Sequence, residues 1–500
     1  MLQSAELGRF LSKDDFEKEL PQLRAALVET QTRLRELGVG VLILIEGLDG
    51  SGRADLLNRL YEWLDPRALE AWTFWDPSDE ELERPEMWRY WRALPSKGEI
   101  AVHLGGWYRD LLTRAVRKEI SEPEMDRALV VRTELERMLL LERVIVLKFF
   151  LYIPEEEQKE RLKHETPTPD DRWGKKGQKE ALQQREKFLK HADRVVRQTD
   201  TSFAPWYLVE ATDARYRDVT VAKTLVRAVQ RFEDVLGNLV AGSQGLLRGG
   251  GAPALPDAET AQVTVLDHVD LAQKMSKDEY KKRLADLQGT LRTLVWKAYE
   301  KGLSTVIVFE GWDAAGKGGA IRRLASGMDA RLYRVVQYGA PTEDERKFPY
   351  LWRFWRELPR GGRVLMYDRS WYGRVLVERV EGFASDFAWQ RAYREINHFE
   401  EQITQQGTVL IKFWLHISPE EQLNRFHERA NTSYKQYKIT DEDWRNREKW
   451  DRYEMAVNEM VFRTGTEYAP WTLVAAEDKN YGRIQILETV CERLARALRE

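Results

Sequence analysis

Between Gly311 and Gly319 the chain reads GWDAAGKGG, a set of residue types suited to holding phosphate. Glycine permits turns in which successive backbone N–H groups face one point, and a lysine adds a compact cation there. Gly311, Gly316 and Lys317 satisfy the first seven positions of G-x-x-x-x-G-K, with Ala314, Ala315, Gly318 and Gly319 supplying further loop N–H groups. The eighth position departs from that pattern. A nucleoside-triphosphate hydrolase places Ser or Thr there to hold magnesium, and this chain has Gly318. Asp313, inside the loop, can fix the turn by accepting from loop N–H groups, or can hold a metal or orient an acceptor in place of the missing hydroxyl. A glycine turn alone is often only steric, but the lysine and the preceding apolar run together favour phosphate binding.

Two further polar sets accompany the loop. Asp368 ends the apolar run RVLMYD and is followed by Arg369, Ser370, Trp371, Tyr372, Gly373 and Arg374. An Asp-Arg pair is commonly a surface ion pair of little consequence. At a strand end beside a phosphate loop, the aspartate instead suits magnesium and the arginines suit phosphate. Arg425 and Arg429 lie four apart and share a helix face, and Lys435 and Lys438 follow in NTSYKQYKIT. As a set they form a lid able to grip phosphate oxygens, although Glu420, Glu421 and Glu428 could simply pair them on a solvated face. His398, His416 and His427 lack metal-ligand spacing, and the tryptophans of WRFWREL and APW read as core.

These residues need elements to hold them. TVIVFE, from Thr305 to Glu310, is a strand feeding the loop, and AIRRL after it is helical, with one of Arg322 and Arg323 facing solvent. Strands follow at 363–368 and 409–417, and the second leads into Ser418-Pro419-Glu420-Glu421, a helix start with Ser418 as N-cap and Glu421 closing a capping box. Amphipathic helices precede the loop strands at about 16–37 and 277–301. Alternating strands and helices predict an α/β fold, a mostly parallel sheet covered by helices, with ligands at the carboxyl ends of the strands.

The plan is written twice. EGLDGSGRADLLNRL from Glu46 and EGWDAAGKGGAIRRL from Glu310 are offset by 310 − 46 = 264, and WRYWRALP and WRFWRELP keep that offset. Ala204-Pro205-Trp206 and Ala469-Pro470-Trp471 differ by 265, a slip of one. We therefore expect tandem domains at 1–240 and 260–500, joined by a Gly/Pro/Ala-rich linker at 241–259. The first copy has Arg53 in place of the lysine and His103-Leu104-Gly105-Gly106 in place of Tyr367-Asp368-Arg369-Ser370. That copy is expected to be degenerate and non-catalytic, covering the second, anchoring substrate or building an oligomer.

Composition bounds the function classes. With 500 residues, 32% of them charged, and a net charge of −3, there is no global basic field for nucleic acid. The one cysteine, Cys491, precludes an internal disulfide. No apolar run reaches a membrane span, Lys148 and Lys412 interrupting the longest, and the first residues lack a signal core, so a cytoplasmic protein is expected.

With GWDAAGKGG, YDRSWYGRV, the basic segment after SPEEQ, and APW in hand, the chain resembles the second family of polyphosphate kinases, and within it the two-domain members that move phosphoryl from polyphosphate to AMP. The resemblance spans essentially the whole chain. It implies P-loop-kinase-like domains, a lid over the second loop, and magnesium (with manganese as the alternative ion). It assigns the loop roles to Asp313 and Lys317, the acid-arginine pair to Asp368 and Arg369, metal binding to Asp313 and Asp368, and the lid arginine to Arg429, with Arg425 its neighbour. Polyphosphate and AMP are the implied substrates, and a homo-oligomer is left open. The rivals are an ADP or GDP acceptor, an ATP-dependent nucleoside monophosphate kinase, and a non-catalytic polyphosphate-binding scaffold.

Overall fold

A computed structural model describes residues 2, 6–164, 175–249, 264–431 and 441–499. The chain gathers into two compact units, one of 1–77, 89–246 and 343–352, the other of 78–88, 247–342 and 353–500. Each is built chiefly from one half and takes in a short segment of the other. The helix Phe232–Gly249 carries the chain into the expected linker, and 250–259 lies outside the described residues.

The first unit holds five strands: β1 (Gly40–Gly47), β2 (Leu69–Thr73), β3 (Ile100–Leu104), β4 (Val144–Tyr152) and β5 (Trp206–Glu210), in the order β2-β3-β1-β4-β5. The second holds β6 (Thr305–Gly311), β7 (Tyr333–Gln337), β8 (Val364–Asp368), β9 (Val409–His416) and β10 (Trp471–Ala475), in the order β7-β8-β6-β9-β10. All the pairings are parallel, and the two orders are the same. The expected α/β architecture is thus met in both halves.

The central strands explain their own placement. TVIVFEG and GVLILIEG are β-branched and apolar on both faces, which suits a strand covered by helices on either side. In each sheet the chain leaves the central strand between neighbours reached from opposite directions, so the loop after β1 or β6 opens into a crevice at the carboxyl edge. Helices Lys13–Leu37 and Lys277–Glu300 start on Ser12 and Ser276, whose hydroxyls accept from the N–H three residues on. Among the described residues no helix is long and apolar enough to cross a membrane.

Candidate active site

The loop after β6 is shaped by two backbone constraints. At Gly311 φ is 151°, and a Cβ would stand 2.7 Å from the Leu415 carbonyl oxygen on β9, so no side chain fits. Ala314 holds a left-handed φ of 63°, and Gly316, at 110°, caps the helix Lys317–Ser326. Left-handed backbone at a non-glycine residue is strained, and such strain gathers at functional sites. Gly318 has open space around its missing Cβ, so packing does not forbid a hydroxyl there, while Gly319 faces Arg483 at 3.3 Å.

The loop is clamped from behind. Gln422 Nε2 donates to the Asp313 carbonyl (3.1 Å), and Arg425 Nη1 donates to the carbonyls of Ala314 (3.0 Å) and Ala315 (2.9 Å). Arg425 Nη2 reaches Ala476 O and Glu477 O, and its Nε reaches Glu421. This corrects the expectation that Arg425 grips phosphate: buried, with Nε, Nη1 and Nη2 all on protein oxygens, it is a brace for the loop. Arg161 does the same in the first unit, donating to Gly50 O and to the carbonyls of Ala211 and Thr212. The capping box is corrected too. Ser418 accepts from the Glu421 N–H as expected, but its own N–H and hydroxyl go to Glu477, leaving Glu421 to Arg425.

On the open side, Asp313, Lys317, Arg369, Leu376, Asn446 and Tyr453 line one cleft. Lys317 Nζ curls over the loop onto Gly311 O (2.5 Å) and Trp312 O (3.2 Å). Asp313 faces Arg369 Nη2 at 3.6 Å through Oδ1 and accepts from Asn446 Nδ2 at 2.9 Å through Oδ2. Arg369 holds a left-handed φ of 66°, its N–H donating to Phe309 O. Arg429 is half-buried; burial lowers its pKa while the charges of Asp443 and Asp313 raise it, so the field of the loop acid reaches it.

Asp368 ends β8 in register with Phe309, and its carboxylate makes no hydrogen bond or ion pair among the described residues. It does not line the cleft. Arg374 pairs with Glu378 at 2.7 Å, and it is Gly373 beside it that faces the cleft. Lys435 and Lys438 lie outside the described residues. His416 is buried, which depresses it to about 4, and it accepts from Trp312 Nε1, a structural role. A larger polar cavity of about 450 Å³ lies at the opposite, amino end of β6 and β9, against Gly302, Ser304 and Thr408, away from these groups.

Several contributors escape the sequence reading. Glu310 is buried, which raises its carboxyl, with the Lys317 charge and Ser370 pulling the other way; its Oε1 accepts from Ser370 N–H and hydroxyl. Its signal was the repeat of Glu46 at Glu310. Gln422, likewise repeated as Gln158, could be found the same way. Asn446 and Tyr453 carry no such signal.

The first unit keeps the frame with other contents. Asp49 Oδ1 accepts from Arg53 (2.7 Å) and Arg109 (2.6 Å), and Arg109 also donates to Gly47 O, where Lys317 acts in the second unit. Burial pushes Asp49 up, yet Arg109 and Arg53 win and hold it below the ordinary carboxylate range. Glu46 has lost the serine partner, because Gly106 stands there; neither oxygen finds a hydrogen bond among the described residues, and burial raises it to about 7.

A parallel α/β sheet with a lysine-bearing glycine loop and an Asp-Arg strand end defines a phosphate-handling class of protein. Likeness to known proteins narrows that class. The family model for Polyphosphate kinase 2 (PPK2) matches residues 10–235 and again 274–500. A polyphosphate:AMP phosphotransferase of Pseudomonas aeruginosa is 44% identical over 100% of both chains. Another protein of that name from Pseudomonas syringae pv. tomato is 43% identical over 99% of both. A crystal structure of a candidate polyphosphate kinase 2 from Pseudomonas aeruginosa superposes with a TM-score of 0.87 at 44% identity, covering 100% of each chain. The chain belongs to the PPK2 family, which it matches twice.

Proposed function

We propose that this protein transfers the terminal phosphoryl of inorganic polyphosphate to AMP, giving ADP, and that its second half does the chemistry. The observation that carries this reading is the convergence of Asp313, Lys317 and Arg369 on one cleft at the end of β6. Full-length likeness to polyphosphate:AMP phosphotransferases supports the choice of substrates.

The obstacle to such a reaction is charge. AMP carries a phosphate with a second pKa of about 6, so at neutral pH it is largely dianionic and needs no strong base. Lys317, the loop N–H groups, Arg369 and Arg429 bring positive charge to where two polyanions must meet, and hold donor and acceptor in line. Lys317 leaves Gly311 O and Trp312 O for a phosphate oxygen when donor binds. Arg374 is assigned to phosphate binding as well, as are Lys435 and Lys438, which lie outside the described residues.

Magnesium takes one or two carboxylates together with substrate phosphates and water. The Asp368 carboxylate, which has no hydrogen bond or ion pair among the described residues, would with Asp313 supply that donor set, and manganese suits the same oxygens. When bound, the ion supplies neutralisation of the transferring oxygens. The first half, with its acid already clamped by arginines, is a non-catalytic partner. Cytoplasmic soluble substrates suit the single cysteine, and neither nucleic acid nor a membrane is a partner on this reading; assembly into a homo-oligomer would be read from light scattering.

The test is direct. Purified protein is given AMP, magnesium and long-chain polyphosphate without ATP, and ADP is measured; the assay is repeated with GMP and ADP as acceptors. ADP formed from AMP and polyphosphate is the expected result. ADP formed only when ATP is the donor would overturn the reading.

A further inference from the structure

Resting on the function just proposed, we infer that Asn446 is a positioning residue that aims the loop acid Asp313, and that Tyr453 in turn sets the orientation of Asn446. Tyr453 Oη donates to Asn446 Oδ1 at 3.2 Å, which leaves the amide Nδ2 to point the other way. That Nδ2 donates to Asp313 Oδ2 at 2.9 Å. With Oδ2 held, Oδ1 is the oxygen turned toward Arg369, at 3.6 Å. The backbone of Asp313 is separately fixed by Gln422, so Asn446 is what decides the carboxylate's rotation.

Asn446 is itself well backed. Its helix, Asp441–Glu448, and the residue after it are tied to Glu381, which accepts from Lys449 (2.8 Å) and forms an ion pair with Arg445 (3.1 Å). Tyr453 is buried on the next helix, Trp450–Thr464. A side chain that must be placed to within a fraction of an ångström needs rigid support of this kind.

The first unit supplies a natural control. Counting back by the offset that relates Thr464 to Thr199, 464 − 199 = 265, Asn446 falls on Ala181 and Tyr453 on Phe188. Neither can make the relay. The Phe188 ring instead lies 4.9 Å from the Arg109 guanidinium, which clamps Asp49. The frame residues Gln158 and Arg161 persist there while the relay does not, so the relay goes with a loop acid that lacks the double arginine clamp of Asp49, and not with the fold.

The experiment uses full-length enzyme, AMP, magnesium and long-chain polyphosphate. Asn446→Ala is expected to lower kcat by about 10- to 100-fold, as misplacement of an active-site group does, with KM for AMP within about twofold and Tm unchanged. Tyr453→Phe, which removes only the hydroxyl, is expected to cost less, about two- to fivefold, and nothing more once Asn446→Ala is present. Asn446→Asp, setting a second carboxylate against Asp313, is expected to lose more than Asn446→Ala at pH 8. Additive losses for Tyr453→Phe and Asn446→Ala, or losses confined to KM, would overturn the proposal. If the wild type turns over with ATP and not with polyphosphate, the donor is wrong, and the same ratios read with ATP still judge Asn446. A crystal structure of Asn446→Ala gives a readout free of turnover: rotation of the Asp313 carboxylate away from Arg369 supports the relay, and an unchanged carboxylate sinks it.

Discussion

At the carboxyl end of β1, Asp49 is clamped by Arg53 and Arg109; at the carboxyl end of β6, Asp313 takes one hydrogen bond from Asn446 and faces Arg369 at 3.6 Å. The strands, loop length and rear braces are alike. The first loop neutralises its acid internally, and the second leaves acid and cation side by side over a cleft. Backbone tells the same story. Where the second half holds Ala314 and Arg369 at left-handed φ, the first has Gly50 and Gly105, which adopt it without strain. Frame and loop contents are thus separable here: at these two turns one half keeps the backbone with glycine, and the other keeps it with a side chain in place.

That contrast can be broken by substitution, beginning with the largest effect. Lys317→Arg, which installs what Arg53 is, should lower ADP formation by about 10³-fold, because a planar fork cannot reproduce a compact ammonium in the loop. Near-normal rates would mean the two loops differ for some other reason. Arg369→Gly, imitating Gly105, should lower kcat by about 10²-fold yet raise stability to urea by up to about 1 kcal/mol, as relief of strain exceeds the flexibility of glycine. A variant both slower and less stable would remove strain from the comparison.

Glu46 offers a pH test. Its carboxyl is raised from 4.5 to about 7 by burial, so the native state binds its proton more tightly than the unfolded chain does. The stabilisation this brings is complete below 4.5 and is lost as pH rises through about 7. Glu46→Gln should therefore gain about 2–3 kcal/mol relative to wild type between pH 5 and pH 8, read from urea melts of the first unit's transition. A pH-independent difference would mean that Glu46 is ionised in the fold. The smallest effect is expected from Arg53→Lys, which restores the loop lysine without the Asp-Arg strand end: turnover should stay within about twofold of wild type.

How much of this was legible in sequence depended on the distance between partners. TVIVFE, the glycine loop and the helix after it announce themselves within twenty residues, and the repeat made the second sheet as plain as the first. The N-cap at Ser418 was equally local. What escaped were pairings set by the fold. Glu421 looks like a capping-box residue until Glu477, 59 residues beyond Ser418, takes the Ser418 N–H. Arg425 looks like a lid cation until carbonyls 110 and 111 residues earlier surround its Nη1. Asn446 has no motif at all, because a neutral amide advertises nothing until an acid is placed opposite it. Lys412 looks in sequence like an interruption of an apolar run, and folding gives it partners: it is buried and donates to Glu400, Tyr372 Oη and Thr464 O, as Lys148 does to Glu136 and Thr199 O.

That buried ammonium has a consequence for the loop. Lys412 pairs with Val308, and three steps along the same ladder Leu415 pairs with Gly311, whose missing side chain lets the two backbones meet. An apolar strand can slide by a residue at modest cost; this one cannot, since a slip would carry the ammonium to the opposite face of the sheet and leave a carboxylate stranded. The position of the glycine turn is thus keyed by an ionic pin driven through the middle of the sheet, and trimming methyl groups along β9 should soften the domain long before it moves the turn.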